Sequence, residues 1–243
     1  MADILSKRDG AVLEITLNRP EQGNGATDEM ALEVTRLIET AGNDTQLILL
    51  RGAGNDFCIG RAMMGQPQQG PVEALDRKRA FDVVFNAYGA IRNSPVPVVG
   101  IVQGRALGFG CAIAAVCDIT LASDKATFQV PEMAHNILPT MVMSSFIDRV
   151  PRKAFTYLVY STAVIGAERA LSFGIVSDVV PHAGLEDAVQ KLKAAILKAP
   201  PPAIRGLKEY ARTAFSMSTE GAVDYARNIH AVINSSSEMR RKP

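Results

Sequence analysis

The residues of this chain that are best placed to do chemistry surround one glycine-rich turn. In the stretch GRALGFGCAIAAVCD, residues 104–118, small residues follow an apolar strand and lead into a helix. This arrangement leaves backbone N–H groups unpaired at the positive end of the helix dipole, where they can receive a negatively charged oxygen. Two such groups aimed at one carbonyl oxygen form an oxyanion hole, in which each donor contributes about 3–4 kcal/mol to transition-state stabilisation. The same spacing is also typical of a tightly packed core helix whose glycines only permit close contact with a strand.

Other classes of site have less support in the sequence. The order GRALGFG does not match the G-x-G-x-x-G of a dinucleotide site. Cys58, Cys111 and Cys117 have no metal-ligand spacing to the histidines, and we interpret them as buried thiols in a reducing compartment. The formal charge of +1, from 26 basic and 25 acidic residues, argues against nucleic-acid binding. Because no signal peptide and no apolar run of ~20 residues is visible, we expect a cytoplasmic protein without membrane or metal partners.

The elements around the turn alternate between strands and helices. Alternating or continuous apolar residues predict strands at 11–18, 46–52 and 96–104. Helical spacing predicts one helix after Thr27, which is a plausible N-cap, and another from Phe81 to Ile91. Two short strands follow in DITLASD and ATFQVPE, and the chain beyond them is mainly helical. This order predicts an α/β core with a helical C-terminal part.

Five blocks of the sequence, in order, resemble the crotonase (enoyl-CoA hydratase/isomerase) superfamily. They are ITLNRPEQGNGATDEM, LILLRGAGNDFCIGRAMMG, PVPVVGIVQGRALGFGCAIAAVCDITLASDKATFQVPE, GAERALSFGIVSDVVP and APPPAIRGLKEY. The resemblance implies a crotonase-like spiral of repeated ββα turns over residues 1–185 and a C-terminal helical trimerisation region over residues 186–243. It also implies a homotrimer or hexamer that acts on an acyl-CoA thioester. Coenzyme A would then be part of the substrate, with no permanently bound cofactor.

The resemblance also assigns site residues. The two main-chain donors of the family's oxyanion hole fall on Arg61 and on Phe109, which stands where the family usually has glycine. The methionines of LPTMVMSS replace a glycine-rich turn of family hydratases and predict a more apolar acyl pocket, to which Met63 and Met64 would add. The expected contacts to the acyl-CoA are Phe57, Cys58, Ile59, Gly60, Arg61, Gly108, Phe109, Ala112 and Met141.

The pair of glutamates used by the family's hydratases is incomplete in this chain. One position of the pair is Ala112, and the other is Glu132 in the dipeptide Pro131-Glu132. Hydration needs a group that activates water as well as a proton donor, each worth ~10²–10⁴ in rate, whereas a 1,3-proton shift needs one carboxylate. The pattern therefore favours an enoyl-CoA isomerase that uses Glu132, with His135 either an accessory acid/base or a structural hydrogen-bonding residue. A thioester hydrolase, a decarboxylase, a weak hydratase and a silent acyl-CoA-binding protein remain alternatives.

Overall fold

The computed structural model describes residues 2–62 and 73–240, and their strands form two sheets. The main sheet contains, in spatial order, β1 (Ile4–Asp9), β2 (Val12–Leu17), β3 (Leu47–Gly52), β4 (Val98–Val102), β6 (Ile119–Ser123) and β9 (Asp178–Val180). β1 pairs with β2 in antiparallel orientation, and all the other neighbours are parallel. The smaller sheet contains β5 (Arg105–Leu107), β7 (Thr127–Gln129) and β8 (Ile165–Gly166).

The helices connect these strands and then continue beyond them. In chain order they are α1 (Asp28–Glu39), α2 (Ala74–Arg79), α3 (Asp82–Asn93), α4 (Phe109–Val116), α5 (Thr140–Phe146), α6 (Arg152–Ser161), α7 (Ala167–Ser172), α8 (Leu185–Leu197), α9 (Pro201–Ala214) and α10 (Thr219–Ser235). A short 3₁₀ turn over Glu132–His135 follows β7. No described helix combines the length and the apolarity that crossing a bilayer would require.

The central strands of the main sheet are buried on both faces, which explains the continuous apolar runs of β3 and β4. On one face, side chains such as Ile15, Ile48 and Leu50 join the large core that also contains α1, α3 and α4. On the other face, a second apolar cluster packs against Leu185 and Val189 of α8. The parallel strands and the covering helices together confirm the predicted α/β class.

Most of the predicted elements are confirmed, and the missed strands were missed for one of two physical reasons. Strands occupy the three predicted apolar segments, two short strands follow α4, and Thr27 caps α1 by accepting a hydrogen bond from the Met30 amide at 3.2 Å. The sequence reasoning missed β1, β5, β8 and β9. β1 is an edge strand whose side chains are mostly exposed, so it lacks an apolar pattern, and the others have only two or three residues.

The C-terminal helices attach to the core in two ways. α8 begins at the predicted boundary of the C-terminal region and packs on the main sheet. α9 is held by the Lys208 ammonium, which donates to both carboxylate oxygens of Asp118 at 2.7 Å and to the Ile91 carbonyl at 3.0 Å. α10 lies on α9, where the rings of Tyr210 and Tyr225 stack. The division at residue 185 and the role of the helices in oligomerisation stay predictions.

Candidate active site

Two backbone segments from different parts of the chain meet at the glycine-rich turn. Cys58 pairs with Ala106 in a short parallel bridge, and the Leu107 amide donates to the Cys58 carbonyl at 2.9 Å. The approach is so close that a Cβ on Gly110 would lie 2.1 Å from the same carbonyl oxygen. Only glycine fits at that position. Because glycine has no side chain, the start of α4 can lie directly against residues 58–60.

Each of these segments presents one backbone amide that is not used internally. The Ala26 amide donates to the Gly60 carbonyl and the Ala62 amide to the Ala26 carbonyl, so the pairing around Arg61 leaves the Arg61 N–H unused. Phe109 is the first residue of α4, where a helical N–H has no intrahelical partner. Among the described residues, neither the Arg61 nor the Phe109 amide donates a hydrogen bond. Each segment therefore carries one backbone amide without an acceptor among the described residues.

The turn itself is compatible with phenylalanine at position 109. Gly108, and not Phe109, carries the unusual backbone angles, with φ 49° and ψ −113°. Phe109 is the first residue of α4, has no positive φ, and its side chain is buried. The replacement of a family glycine by Phe109 therefore introduces no left-handed strain at the donor.

The carboxyl group of Glu132 lies directly over this turn. A Cβ built on Gly108 would be 2.6 Å from Glu132 Oε1, which places that oxygen beside the start of α4. The other oxygen, Oε2, is buried and has no hydrogen-bond partner among the described residues. Burial raises the pKa of Glu132, while a backbone hydrogen bond and the charge of His135 oppose the shift. A carboxyl with a raised pKa holds its proton to a higher pH than an ordinary glutamate, which suits a group that takes up and returns a proton.

His135 and Ala112 complete the surroundings of Glu132. His135 is exposed at the end of the same 3₁₀ turn, so its contribution to Glu132 is electrostatic rather than a hydrogen bond. Ala112 is fully buried on α4, and its amide donates to the Gly108 carbonyl at 2.9 Å. A methyl group cannot hold or deprotonate water, so this position supplies no second acid or base.

The remaining predicted contact residues differ in their exposure, and their contact with a substrate stays a prediction. Phe57 and Cys58 are fully buried, and Met141 on α5 is half-buried against the main core. Burial raises the pKa of the Cys58 thiol to about 11, so the thiol stays protonated at neutral pH and is a poor nucleophile. Ile59 packs on Gly23, whose carbonyl accepts from the Ile59 amide at 3.0 Å. Met63 and Met64 lie outside the described residues.

Comparison with known proteins identifies the family of the chain. A family model described as enoyl-CoA hydratase/isomerase matches residues 7–242, which is almost the whole chain. The chain belongs to the enoyl-CoA hydratase/isomerase family. Carnitinyl-CoA dehydratase of Escherichia coli K12 is 31% identical to it over 227 residues, covering 91% of this chain and 84% of the relative.

Solved structures of relatives share the crotonase-like fold, which confirms that prediction. An enoyl-CoA hydratase from Mycobacterium smegmatis matches with a TM-score of 0.92 and 23% identity, over 98% of this chain and 93% of that one. A homologue from Thermobifida fusca, solved in complex with CoA, matches with a TM-score of 0.85 and 25% identity over 96% of this chain and 93% of that one. Its complex with acetoacetyl-CoA matches with a TM-score of 0.84 and 25% identity over 96% and 95% of the two chains.

Two polar side chains that shape this family member's site were missed in the sequence. Asn24 is fully buried with a φ of 57°, and its side-chain amide donates to the carbonyls of Ala53 and Asp56 at 2.8 and 2.7 Å. Gln103 donates to the same loop, at the carbonyls of Gly52, Gly54 and Asp56. Both hold the backbone that leads into residues 57–61. An asparagine between two glycines is a signal for a left-handed turn, but it does not reveal its distant partners.

Tyr88 was also missed as a site residue, because its spacing on α3 only indicated a core-facing position. It is 3% exposed, and its ring stacks on that of Phe109 with centroids 5.7 Å apart and an interplanar angle of 26°. Its hydroxyl is buried without a hydrogen-bond partner among the described residues. An unpaired buried hydroxyl costs about 1–3 kcal/mol, so its presence beside Glu132 calls for an explanation.

Proposed function

We propose that this chain is an acyl-CoA-processing enzyme that shifts a carbon–carbon double bond by proton transfer through Glu132. The thioester carbonyl oxygen of the substrate accepts hydrogen bonds from the Arg61 and Phe109 amides. Glu132 removes a proton from C2 of a 3-enoyl thioester, and the two amides stabilise the charge that develops on the oxygen. The same carboxyl then returns the proton at C4, which leaves the 2-enoyl thioester and regenerates the enzyme.

The observation that supports this proposal is one carboxyl group beside the turn that precedes the unused Phe109 amide, with Gly60, the neighbour of Arg61, at the same turn. Glu132 Oε1 is close to Gly108, the residue that precedes the Phe109 donor, and Oε2 is buried and unpaired. The raised pKa suits a group that must act as base and then as acid. Ala112 removes the second carboxyl that efficient hydration would need, so a reaction with a single proton shuttle fits the site best.

The names of the relatives support an acyl-CoA substrate. The Thermobifida fusca homologue was solved with CoA and with acetoacetyl-CoA. In this chain the thioester would lie between the backbone of residues 57–61 and the turn at Gly108 and Phe109, with Ala112 and Met141 facing the acyl chain. Coenzyme A would be part of the substrate, and no permanent cofactor is needed for a proton shift.

A homotrimer or hexamer is part of the same proposal. Large apolar side chains are exposed on and beside the C-terminal helices, including Leu207, Phe215 and Val232. Burial of such side chains is the usual driving force for subunit association. The cytoplasmic location stays a prediction from the sequence.

A hydratase or dehydratase is the second candidate, because the Escherichia coli relative is named carnitinyl-CoA dehydratase. Dehydration of a 3-hydroxyacyl thioester also begins with removal of a C2 proton next to a stabilised thioester oxygen. It differs in the second step, because the hydroxyl must leave as water and needs a proton donor. Glu132 would have to supply that proton itself.

Incubation with 3-enoyl-CoA and with 2-enoyl-CoA, followed by chromatographic separation and mass spectrometry, tests the proposal. We expect conversion of the 3-enoyl to the 2-enoyl isomer to exceed hydration. Glu132→Gln should lower isomerisation by ~10²–10⁴-fold, the usual worth of a positioned acid/base. The exposed Glu168 on α7 provides the matched control, and Glu168→Gln should leave the rate unchanged. Full activity of Glu132→Gln, or hydration as the dominant reaction of the wild type, would contradict the isomerase assignment.

A further inference from the structure

The buried hydroxyl of Tyr88 belongs to the same wall as the proposed donors. Its ring stacks on Phe109, whose amide is one of the two unused donors, and Phe109 follows Gly108, over which Glu132 lies. Contacts therefore link the four residues, from α3 across the start of α4 to the 3₁₀ turn, with the Tyr88 and Phe109 rings buried.

Two polar atoms on this surface are buried without partners among the described residues. One is the hydroxyl of Tyr88, and the other is Oε2 of Glu132. The neighbouring thiols of Cys58 and Cys111 are fully buried, and Ala112 offers only a methyl group. Native proteins rarely leave such atoms unpaired, and those that remain are concentrated where a ligand completes the hydrogen bonding.

The hydroxyl of Tyr88 is a hydrogen-bond donor in this setting. Burial raises the pKa of Tyr88 well above its ordinary value, and the negative charge of Glu132 adds to the shift. The phenol therefore keeps its proton throughout the neutral range. An oxygen acceptor on the ligand would satisfy it, whereas a purely hydrocarbon chain would leave it unpaired.

We propose that Tyr88 is a specificity-determining residue whose hydroxyl donates a hydrogen bond to an oxygen atom on the acyl chain, close to the thioester. The inference rests on the proposed function, since it assumes that the thioester oxygen lies at the Phe109 amide. The chain atoms one or two bonds away from that carbonyl then pass along the Phe109 and Tyr88 wall. A C3 carbonyl or C3 hydroxyl is the first chain oxygen on that path. A 3-enoyl thioester carries none, so this contact favours the 3-hydroxyacyl thioester of the second candidate function.

The test compares two saturated thioesters that cannot undergo the double-bond shift. Butyryl-CoA has no chain oxygen beyond the thioester, and acetoacetyl-CoA carries one at C3. Their dissociation constants would be measured by isothermal titration calorimetry for the wild type, for Tyr88→Phe and for Tyr160→Phe. Tyr160 is 78% exposed on α6 and provides the matched loss of a hydroxyl away from the site.

We expect the wild type to prefer acetoacetyl-CoA, and Tyr88→Phe to reduce that preference by about five- to tenfold, the worth of one net hydrogen bond. Butyryl-CoA should bind Tyr88→Phe as well as or better than the wild type, because its unpaired hydroxyl is gone. Tyr160→Phe should keep the wild-type ratio of the dissociation constants of butyryl-CoA and acetoacetyl-CoA. An unchanged ratio in Tyr88→Phe would overturn the assignment of Tyr88.

The ratio of the two dissociation constants in the wild type is a second test, because it does not depend on the folding of a variant. Equal binding of the two thioesters by the wild type, or a preference for butyryl-CoA, would also overturn the inference. The proposed function fails separately, through the absence of isomerisation or of any thioester binding. Isomerisation that depends on Glu132, combined with an unchanged ratio in Tyr88→Phe, would overturn the role of Tyr88 and leave the proposed function intact.

Discussion

Gly108→Ala tests the geometry that the proposed mechanism depends on. Gly108 has φ 49° and ψ −113°, close to the first central residue of a type II′ turn, a conformation that favours glycine. An alanine Cβ there would lie 2.6 Å from Oε1 of Glu132, well inside normal contact distance. The substitution therefore strains the backbone and pushes the carboxyl away from the place where it would act.

The two effects have different sizes and different readouts. Backbone strain of this kind costs about 1–3 kcal/mol of stability. In a domain of this size each kcal/mol lowers the melting temperature by about 2–4 °C, so the folded protein should survive at assay temperature. Displacement of a catalytic group by about 1 Å can cost ~10²-fold in rate, and the flexible carboxyl will move before the backbone does. We therefore expect about a hundredfold loss of kcat with a modest fall in melting temperature.

The assay is isomerisation of 3-enoyl-CoA, with thermal unfolding measured on the same preparations. Gly166→Ala is the matched control, because Gly166 has an ordinary φ of −78° and a Cβ there meets nothing within 4 Å. In the Glu132→Gln background, Gly108→Ala should cause no further loss of rate, since both changes disable the same group. The placement of Glu132 as the proton shuttle would be refuted by a wild-type kcat in Gly108→Ala. It would also be refuted if the loss of rate in the double variant equalled the product of the two single losses.

Three further predictions concern charged groups around the site and the core. His135→Gln removes a positive charge that lowers the pKa of Glu132, so the acid limb of the pH–rate profile should move to higher pH. The control His230→Gln, at an exposed position on α10, should leave the acid limb in place. A shift of the acid limb to lower pH in His135→Gln would contradict the reasoning. Because burial raises the pKa of Glu132, its ionisation opposes folding. Glu132→Gln should therefore raise the free energy of unfolding at neutral pH, and urea titrations should show that this gain is lost in acid. Lys208→Met removes the ammonium partner of the half-buried Asp118 carboxylate, to which the Val98 amide still donates. It should lower the free energy of unfolding by about 1.5–3 kcal/mol, and a loss below about 1 kcal/mol would show that α9 is held by apolar contacts instead.

The sequence was informative wherever burial imposed a pattern. β2, β3 and β4 are buried on one or both faces, so their apolar residues alternate or form continuous runs that the sequence shows clearly. The glycines of residues 104–110 indicated a close backbone approach, and in the structure Gly104 and Gly110 lie against the carbonyls of Asn55 and Cys58. β1 gave no such signal, because an exposed edge strand can carry almost any polar residue.

The orientation of individual side chains could not be predicted in the same way. The position of Glu132 after β7 is compatible with a solvated surface residue, and only the fold brings its carboxyl over Gly108. Tyr88 shares the helical spacing of its apolar neighbours on α3, so nothing in the pattern distinguishes its hydroxyl end. Asn24 and Gln103 bind carbonyls some 30 to 50 residues away, and such long-range partners follow from tertiary structure alone.

The use of main-chain donors explains why the side chains at the two donor positions can differ from those of relatives. The Arg61 side chain points to Asp28, and the Phe109 side chain packs on Tyr88, while their amides stay unused. The position of each amide depends instead on the residues that shape the backbone, Gly108 above all. A change at Phe109 therefore alters the wall of the pocket more than the donor. In this chain that change brings an aromatic ring against Tyr88, so the departure from the family pattern and the proposed selectivity for an oxygenated acyl chain have one structural origin.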